Sequence, residues 1–189
     1  MGLKGQKTKS DHLTWERFQL LLHQLERDQE IRMLLLFATG TYCALRVGDV
    51  LSIKWEEVFE KDTLEIVEQK TKKHRTIDIH DDLKRLYRTY YNDEDLDSCI
   101  FSGNSKKGQL SLQHVNREIK RITKKYELRG RFSSHNWRKT LGRRVWEQYG
   151  CTERALLLLS ELFGHSSLKI TRIYLNIKEK EIRDIYLGL

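Results

Sequence analysis

The chain has 189 residues, 39% of them hydrophobic, enough for one domain with its own core. Lys and Arg number 35 against 27 Asp and Glu, giving a net charge of +8 and a sequence pI of 9.4, a balance that suits a polyanionic partner such as nucleic acid. Three widely spaced cysteines, Cys43, Cys99 and Cys151, suggest neither a disulfide framework nor a zinc site, and no apolar run approaches the ~20 residues of a membrane span.

Residues 1–10 are basic and aperiodic and read as a linker or end piece, with the folded domain over 11–189. Thr14 is placed to cap a first helix whose Phe18, Leu21, Leu22 and Leu25 recur at helical spacing. A second helix, from 30 to about 44, is apolar nearly all round and therefore buried. A short third helix carries Val50, Leu51 and Ile53 inward, with Trp55 closing it.

The period then changes. Thr63 to Gln69 and Arg75 to His80 alternate apolar and polar as half-buried strands do, around a hairpin tip rich in lysine. Helices resume over 81–91, with Ile100 and Phe101 extended and a basic loop between Gly103 and Gly108. Further helices are predicted from Ser111 to about Tyr126, from a Ser133 or Ser134 cap to Tyr149, and from a Thr152 cap to Phe163. Gly164 is a natural helix stop, and Ser166 or Ser167 can cap a last short helix reaching Tyr174. The terminal segment 178–189 is amphipathic. The fold class is α+β, mainly α-helical, with a small antiparallel sheet, the basic hairpin at 63–80, packed against helices.

Four separated elements offer chemistry. Arg46 follows the buried helix; alone it reads as a solvated or capping arginine. Lys70 sits on the hairpin, where lysines either guard a sheet edge or reach toward phosphates. His135 and Arg138 stand at i and i+3 at a helix start, where backbone N–H groups favour an anion. The same spacing at His114 and Arg117 reads as a decoy on an outer helix face. His165 precedes the last short helix and Tyr174 lies about two turns along it. A tyrosine hydroxyl, with a free pKa of about 10, needs a cationic, hydrogen-bonding site to act as a nucleophile at neutral pH.

In order, Ala44-Leu45-Arg46-Val47-Gly48-Asp49-Val50, Lys70, His135-x-x-Arg138, Phe163-Gly164-His165-Ser166-Ser167 and Tyr174 resemble the catalytic domain of the tyrosine recombinases, the phage-integrase family. The resemblance runs from about Thr14 to Tyr174. It implies that Arg46 and Arg138 clamp a scissile phosphate, that Lys70 protonates the leaving oxygen, and that His135 and His165 are the two active-site histidines. Tyr174 would be the nucleophile and Asp49 the brace on Arg46. Asp49 stands where the family more often has glutamate, Trp137 and Phe163 replace common leucines, and Lys139 replaces a common histidine.

The implied activity is site-specific cutting and rejoining of DNA through a 3′-phosphotyrosyl intermediate, for integration or excision of a mobile element. No cofactor, metal or ATP is expected, because arginine and lysine carry the charge and the covalent bond conserves the phosphodiester's energy. Charge and position nominate Lys72, Lys73, Arg75, Lys106, Lys107, Arg131 and Lys139 for contact with the DNA backbone. The partners implied are double-stranded DNA and other protomers on it, in a tetrameric synapse, with the isolated piece monomeric or weakly associated. The family's helical core-binding domain is expected to be missing from this chain. Location would be cytoplasmic, in a bacterial or phage setting beside the nucleoid. Two other readings stay open: type IB topoisomerase-like strand relaxation, and a non-catalytic DNA-binding module of the same fold.

Overall fold

Four of the helices in this proline-free chain start on a serine or threonine hydroxyl. The structure, a computed structural model, describes residues 11–92, 95–103, 108–177 and 186–188. Helix α1 (Trp15–Arg27) begins on Thr14, whose hydroxyl accepts the Arg17 N–H at 3.3 Å. Helix α2 (Ile31–Tyr42) is buried from Met33 through Thr41. Helix α3 (Val47–Leu51) is shorter than the apolar pattern predicts. Trp55 does not close it: Lys54 is extended, and Trp55 opens a separate 3₁₀ turn over Trp55–Glu57.

Strands β1 (Thr63–Val67) and β2 (His74–Asp78) pair antiparallel, Thr63 opposite Asp78 and Val67 opposite His74. The first strand stops two residues short of the predicted end. At Glu68 the chain leaves the ladder for a tight tip in which the Lys72 N–H donates to the Glu68 carbonyl at 2.8 Å and Lys72 takes φ 58°. Helices α4 (Asp81–Tyr90) and α5 (Leu112–Lys125) follow, the latter capped by Ser111.

Helix α6 (Asn136–Gln148) departs from its predicted start. Its N-cap is His135, without a side-chain cap bond, and not Ser133 or Ser134. The Ser133 hydroxyl instead accepts the His135 N–H at 3.4 Å, one turn early. Helices α7 (Glu153–Phe163) and α8 (Leu168–Tyr174) start on Thr152 and Ser167, and Gly164 ends α7 in the left-handed region at φ 64°.

Helix α2 is the hub of the main core, packed by α1, α3, α4 and α6. A second cluster gathers Trp146, Ala155, Leu156, Leu159, Phe163 and Leu175 from α6 to the end of α8. Helix α6 joins the two. Trp137, fully buried, lies flat on Gly40 of α2, where a methyl group would come within 2.7 Å of the indole. Gly142, a turn further on, admits Leu175 and Phe163 equally closely.

The entering segment is laced to the same helix. Asn136 Nδ2 donates to the Asp11 carbonyl at 2.9 Å, and the Leu13 N–H to Thr140 Oγ1 at 3.1 Å. Between them His12 is pushed down to about 4 by burial and then by the charge of Arg143.

Two outcomes follow for stability. Gly40→Ala overpacks the α2–α6 contact and is expected to cost about 1–3 kcal/mol, read as a lower urea midpoint at unchanged m-value. His12 is neutral in the fold and charges more readily when unfolded. Its stabilisation is therefore complete above pH ~6.5 and is lost as pH falls toward about 4. Chemical denaturation across that window should show the loss, and His12→Gln should flatten it.

Candidate active site

The end of α2 sets the first residue. Ala44 takes φ 52°, an uncommon conformation for a residue with a side chain, and turns the chain so that Leu45 is buried and Arg46 emerges as the N-cap of α3. The Leu45 carbonyl accepts the indole N–H of Trp137 at 2.8 Å. Trp137 stands between His135 and Arg138, so this one bond brings the Arg46 turn to the start of α6.

The two guanidiniums then meet at one atom. Arg46 Nη2 donates to the Phe163 carbonyl at 3.3 Å and Arg138 Nη2 to the same oxygen at 3.2 Å. This carbonyl ends α7, where helix oxygens lack intrahelical partners and the dipole favours cations. The Arg138 guanidinium also lies 5.0 Å from the centre of the Phe163 ring. Arg138 is 3% exposed, yet its Nη1 is buried and unpaired. A buried, unsatisfied charged donor is costly unless an anion takes it.

Tyr174, the last residue of α8, closes the group. Its ring packs on Phe163 (5.3 Å between centres) and on His165 (5.2 Å), and its hydroxyl is 3.5 Å from the His135 carbonyl, the outer limit of a hydrogen bond. Burial raises the Tyr174 pKa, and the charges of Arg138 and Arg46 pull it back. The His165 ring is fixed through Nδ1, 3.0 Å from Thr171 Oγ1. Both histidines are held below their ordinary value, by desolvation first. Arg138 and Arg46 add to this at both, and Lys139 and Lys70 at His135. Neutral imidazoles at pH 7 accept protons.

Arg46, His135, Arg138, His165 and Tyr174 therefore converge, and exposed Lys70 is close enough to act on His135. Asp49 is a correction. It does not brace Arg46; its Oδ1 accepts the Gln69 N–H at 2.8 Å, which holds the hairpin beside α3. The carboxylate on Arg46 is that of Glu68, 2.6 Å from Nη1. Glu68 is buried and also accepts from Arg75 Nη1 at 3.0 Å and Thr71 Oγ1 at 2.5 Å. Burial alone would raise its pKa, but Thr71, Arg46 and Arg75 together bring it down to about 2. The trace of Glu68 in the sequence is a carboxylate two residues before Lys70 in a basic hairpin.

The nominated surface cations divide. Lys72 and Lys73 are exposed at the hairpin tip, and Arg131 is exposed on the loop before α6. Arg75 is half-buried on Glu68, and Lys139 is buried with its ammonium 5.2 Å from the centre of the Tyr174 ring, so neither presents itself to an outer surface. Lys106 and Lys107, and most of the terminal segment, lie outside the described residues. The decoy pair behaves as one: His114 Nδ1 and Arg117 Nη2 bond each other at 2.8 Å on α5, away from the site.

Trp137→Phe keeps an aromatic ring, though a smaller one, and strips the Leu45 carbonyl of its donor. It is expected to destabilise by about 1–3 kcal/mol in denaturant titration.

Comparison with known proteins bears on the family and the fold. The phage integrase family model matches residues 11–181. A probable integrase/recombinase of Bacillus subtilis, YoeC, is 28% identical over 174 residues, covering 87% of this chain and 93% of its own. Tyrosine recombinase XerA of Pyrococcus furiosus is 28% identical over 192 residues, 94% of this chain but 61% of its own. The crystal structure of a XerA recombinase superposes with a TM-score of 0.68 at 19% identity, over 94% of this chain and 64% of that one. The lambda integrase catalytic core superposes at 0.60 and 21% identity, over 82% and 91%. With the family's sequence pattern matched over residues 11–181, nearly the whole domain, this chain belongs to the phage integrase family.

Proposed function

We propose that the domain cuts and rejoins DNA as a site-specific recombinase, with Tyr174 as nucleophile. The observation that carries this is the meeting of Arg46 and Arg138 at the Phe163 carbonyl, beside Tyr174, with a buried Arg138 N–H group still unpaired. A scissile phosphate seated on the two guanidiniums supplies the missing acceptor, and their planar donors match its non-bridging oxygens. As Tyr174 Oη bonds to phosphorus, the bond to the 5′-oxygen breaks and a 3′-phosphotyrosyl link remains. The tyrosine proton passes to His135, neutral at pH 7, and Lys70 protonates the departing 5′-oxygen. His165, fixed by Thr171, holds a phosphate oxygen. Attack by a 5′-hydroxyl reverses the step and rejoins the strand.

The phosphotyrosyl bond retains the energy of the phosphodiester, and three cations offset the charge that grows on phosphorus. The reaction is therefore proposed to run without ATP or a metal ion. Lys72 and Lys73, exposed on the hairpin, suit contact with the duplex backbone, with the steep salt dependence that follows. The wider assembly proposed is a tetramer of protomers on two duplexes, in the cytoplasm beside the nucleoid. Gathering of Arg46, His135, Arg138, His165 and Tyr174 argues against a non-catalytic module.

Covalent trapping tests the reading. The protein is incubated without divalent metal on nicked duplexes carrying candidate attachment sites, and denaturation-resistant adducts are counted. Wild type should give an adduct and Tyr174→Phe none; Arg138→Lys should lower the rate by about 10²–10³. An adduct that survives Tyr174→Phe refutes the assignment. Relaxation of supercoiled plasmid without strand exchange would point to topoisomerase-like action instead.

A further inference from the structure

Glu68 has no part in the reaction just described, yet it is the most constrained carboxylate near the site. Its side chain is 4% exposed, and both oxygens are occupied: Oε2 by Arg46 Nη1 and Thr71 Oγ1, Oε1 by Arg75 Nη1. Arg46 is thus gripped from two sides, by the Glu68 carboxylate through Nη1 and by the Phe163 carbonyl through Nη2. Two acceptors on different nitrogens of a planar group fix its plane as well as its position.

We propose that Glu68 is the positioning residue for Arg46, clamped by Arg75 so that it orients the Arg46 guanidinium toward the scissile phosphate. The sharing matters electrostatically. A carboxylate bound to Arg46 alone would neutralise it and weaken its hold on an anion. Divided between two arginines, the single negative charge leaves the trio with a net charge of +1 and keeps Arg46 attractive to phosphate. Arg75 is then a strut of the active site and not a contact to the DNA backbone. Thr71 links the same carboxylate to the hairpin tip next to Lys70, while Asp49 pins that tip through the Gln69 N–H. Sequence distance is no obstacle: Glu68 lies where β1 ends, and its turn is what carries it inward.

The inference rests on the proposed function, and its test separates the two. Single-turnover cleavage of a nicked duplex is measured for wild type, Glu68→Gln, Glu68→Asp and Lys70→Ala, with an ordinary 5′-bridging oxygen and with a 5′-bridging sulfur. Glu68→Gln keeps the shape and loses the charge. It should slow cleavage by about 10²-fold with DNA affinity unchanged, and Glu68→Asp, one methylene short of spanning both arginines, should fall between. Sulfur leaves without a proton, so it should restore Lys70→Ala and not Glu68→Gln. Equal rescue of both would place Glu68 behind Lys70 and overturn the proposal, as would a wild-type rate in Glu68→Gln.

Rotation of the Arg46 guanidinium, followed by side-chain NMR on the free protein, reads the tether without any turnover. Hindered rotation in wild type that is released in Glu68→Gln supports the assignment. Rotation that is the same in both overturns it, and Glu68→Asp provides the same comparison should Glu68→Gln fail to fold. A wild-type protein that forms no adduct would refute the recombinase reading while the NMR comparison still decides the role of Glu68.

Discussion

One peptide oxygen organises the active centre. The Phe163 carbonyl, at the C-terminal end of α7, accepts from Arg46 and Arg138, which lie 117 and 25 residues away in sequence. Two like charges repel, so bringing them together requires something that both prefer to water and to distance. A helix C-terminus provides it: an oxygen with no intrahelical donor and the negative end of the helix dipole. The left-handed Gly164 that follows is what leaves this carbonyl at a helix end. The Phe163 ring extends the same role, lying under Arg138 and against Tyr174 and His165. An aromatic side chain here stacks on a guanidinium, which a leucine cannot do.

Packing supplies the rigidity that such a junction needs. Helix α6 touches both hydrophobic clusters, with Trp137 set into the main core on Gly40 and Gly142 receiving Leu175 and Phe163 on the other side. The residues that flank Trp137 in sequence are therefore fixed by a fully buried ring, and its indole bond to Leu45 couples them to the Arg46 turn. The entering segment, through Asp11 and Leu13, is bonded to the first turns of the same helix.

The charge balance is tuned as well as the geometry. Arg46, Arg75, Arg138, Lys139 and Lys70 crowd a small region, with the Glu68 carboxylate bonded among them. The local field is strongly positive; it adds to the burial that holds the histidines neutral and opposes the effect of burial on Tyr174. The same field that would attract a phosphate also prepares the proton acceptor and eases ionisation of the tyrosine. These are consequences of one arrangement and need no separate devices.

Local chemistry was enough to find most elements. Thr14, Ser111, Thr152 and Ser167 cap helices because their hydroxyls answer the first free N–H groups, and Gly164 stops one because it has no Cβ. Arg46, His135, Arg138, His165 and Tyr174 are singled out by the resemblance of their motifs, in order, to the family; taken one at a time, each reads as an ordinary surface, capping or core residue. What tertiary structure decided is pairing at a distance. Asp49 sits in the expected place, yet its carboxylate is taken by a backbone N–H of the hairpin; Glu68, on a strand that reads as merely alternating, reaches Arg46 instead. Arg75 and Lys139 count as surface charge in the sequence, and the fold turns them inward onto Glu68 and Tyr174. The physical reason is that capping and periodicity act within a turn or a strand, whereas an ion pair is chosen by which groups the packed cores bring within 3 Å or so of one another.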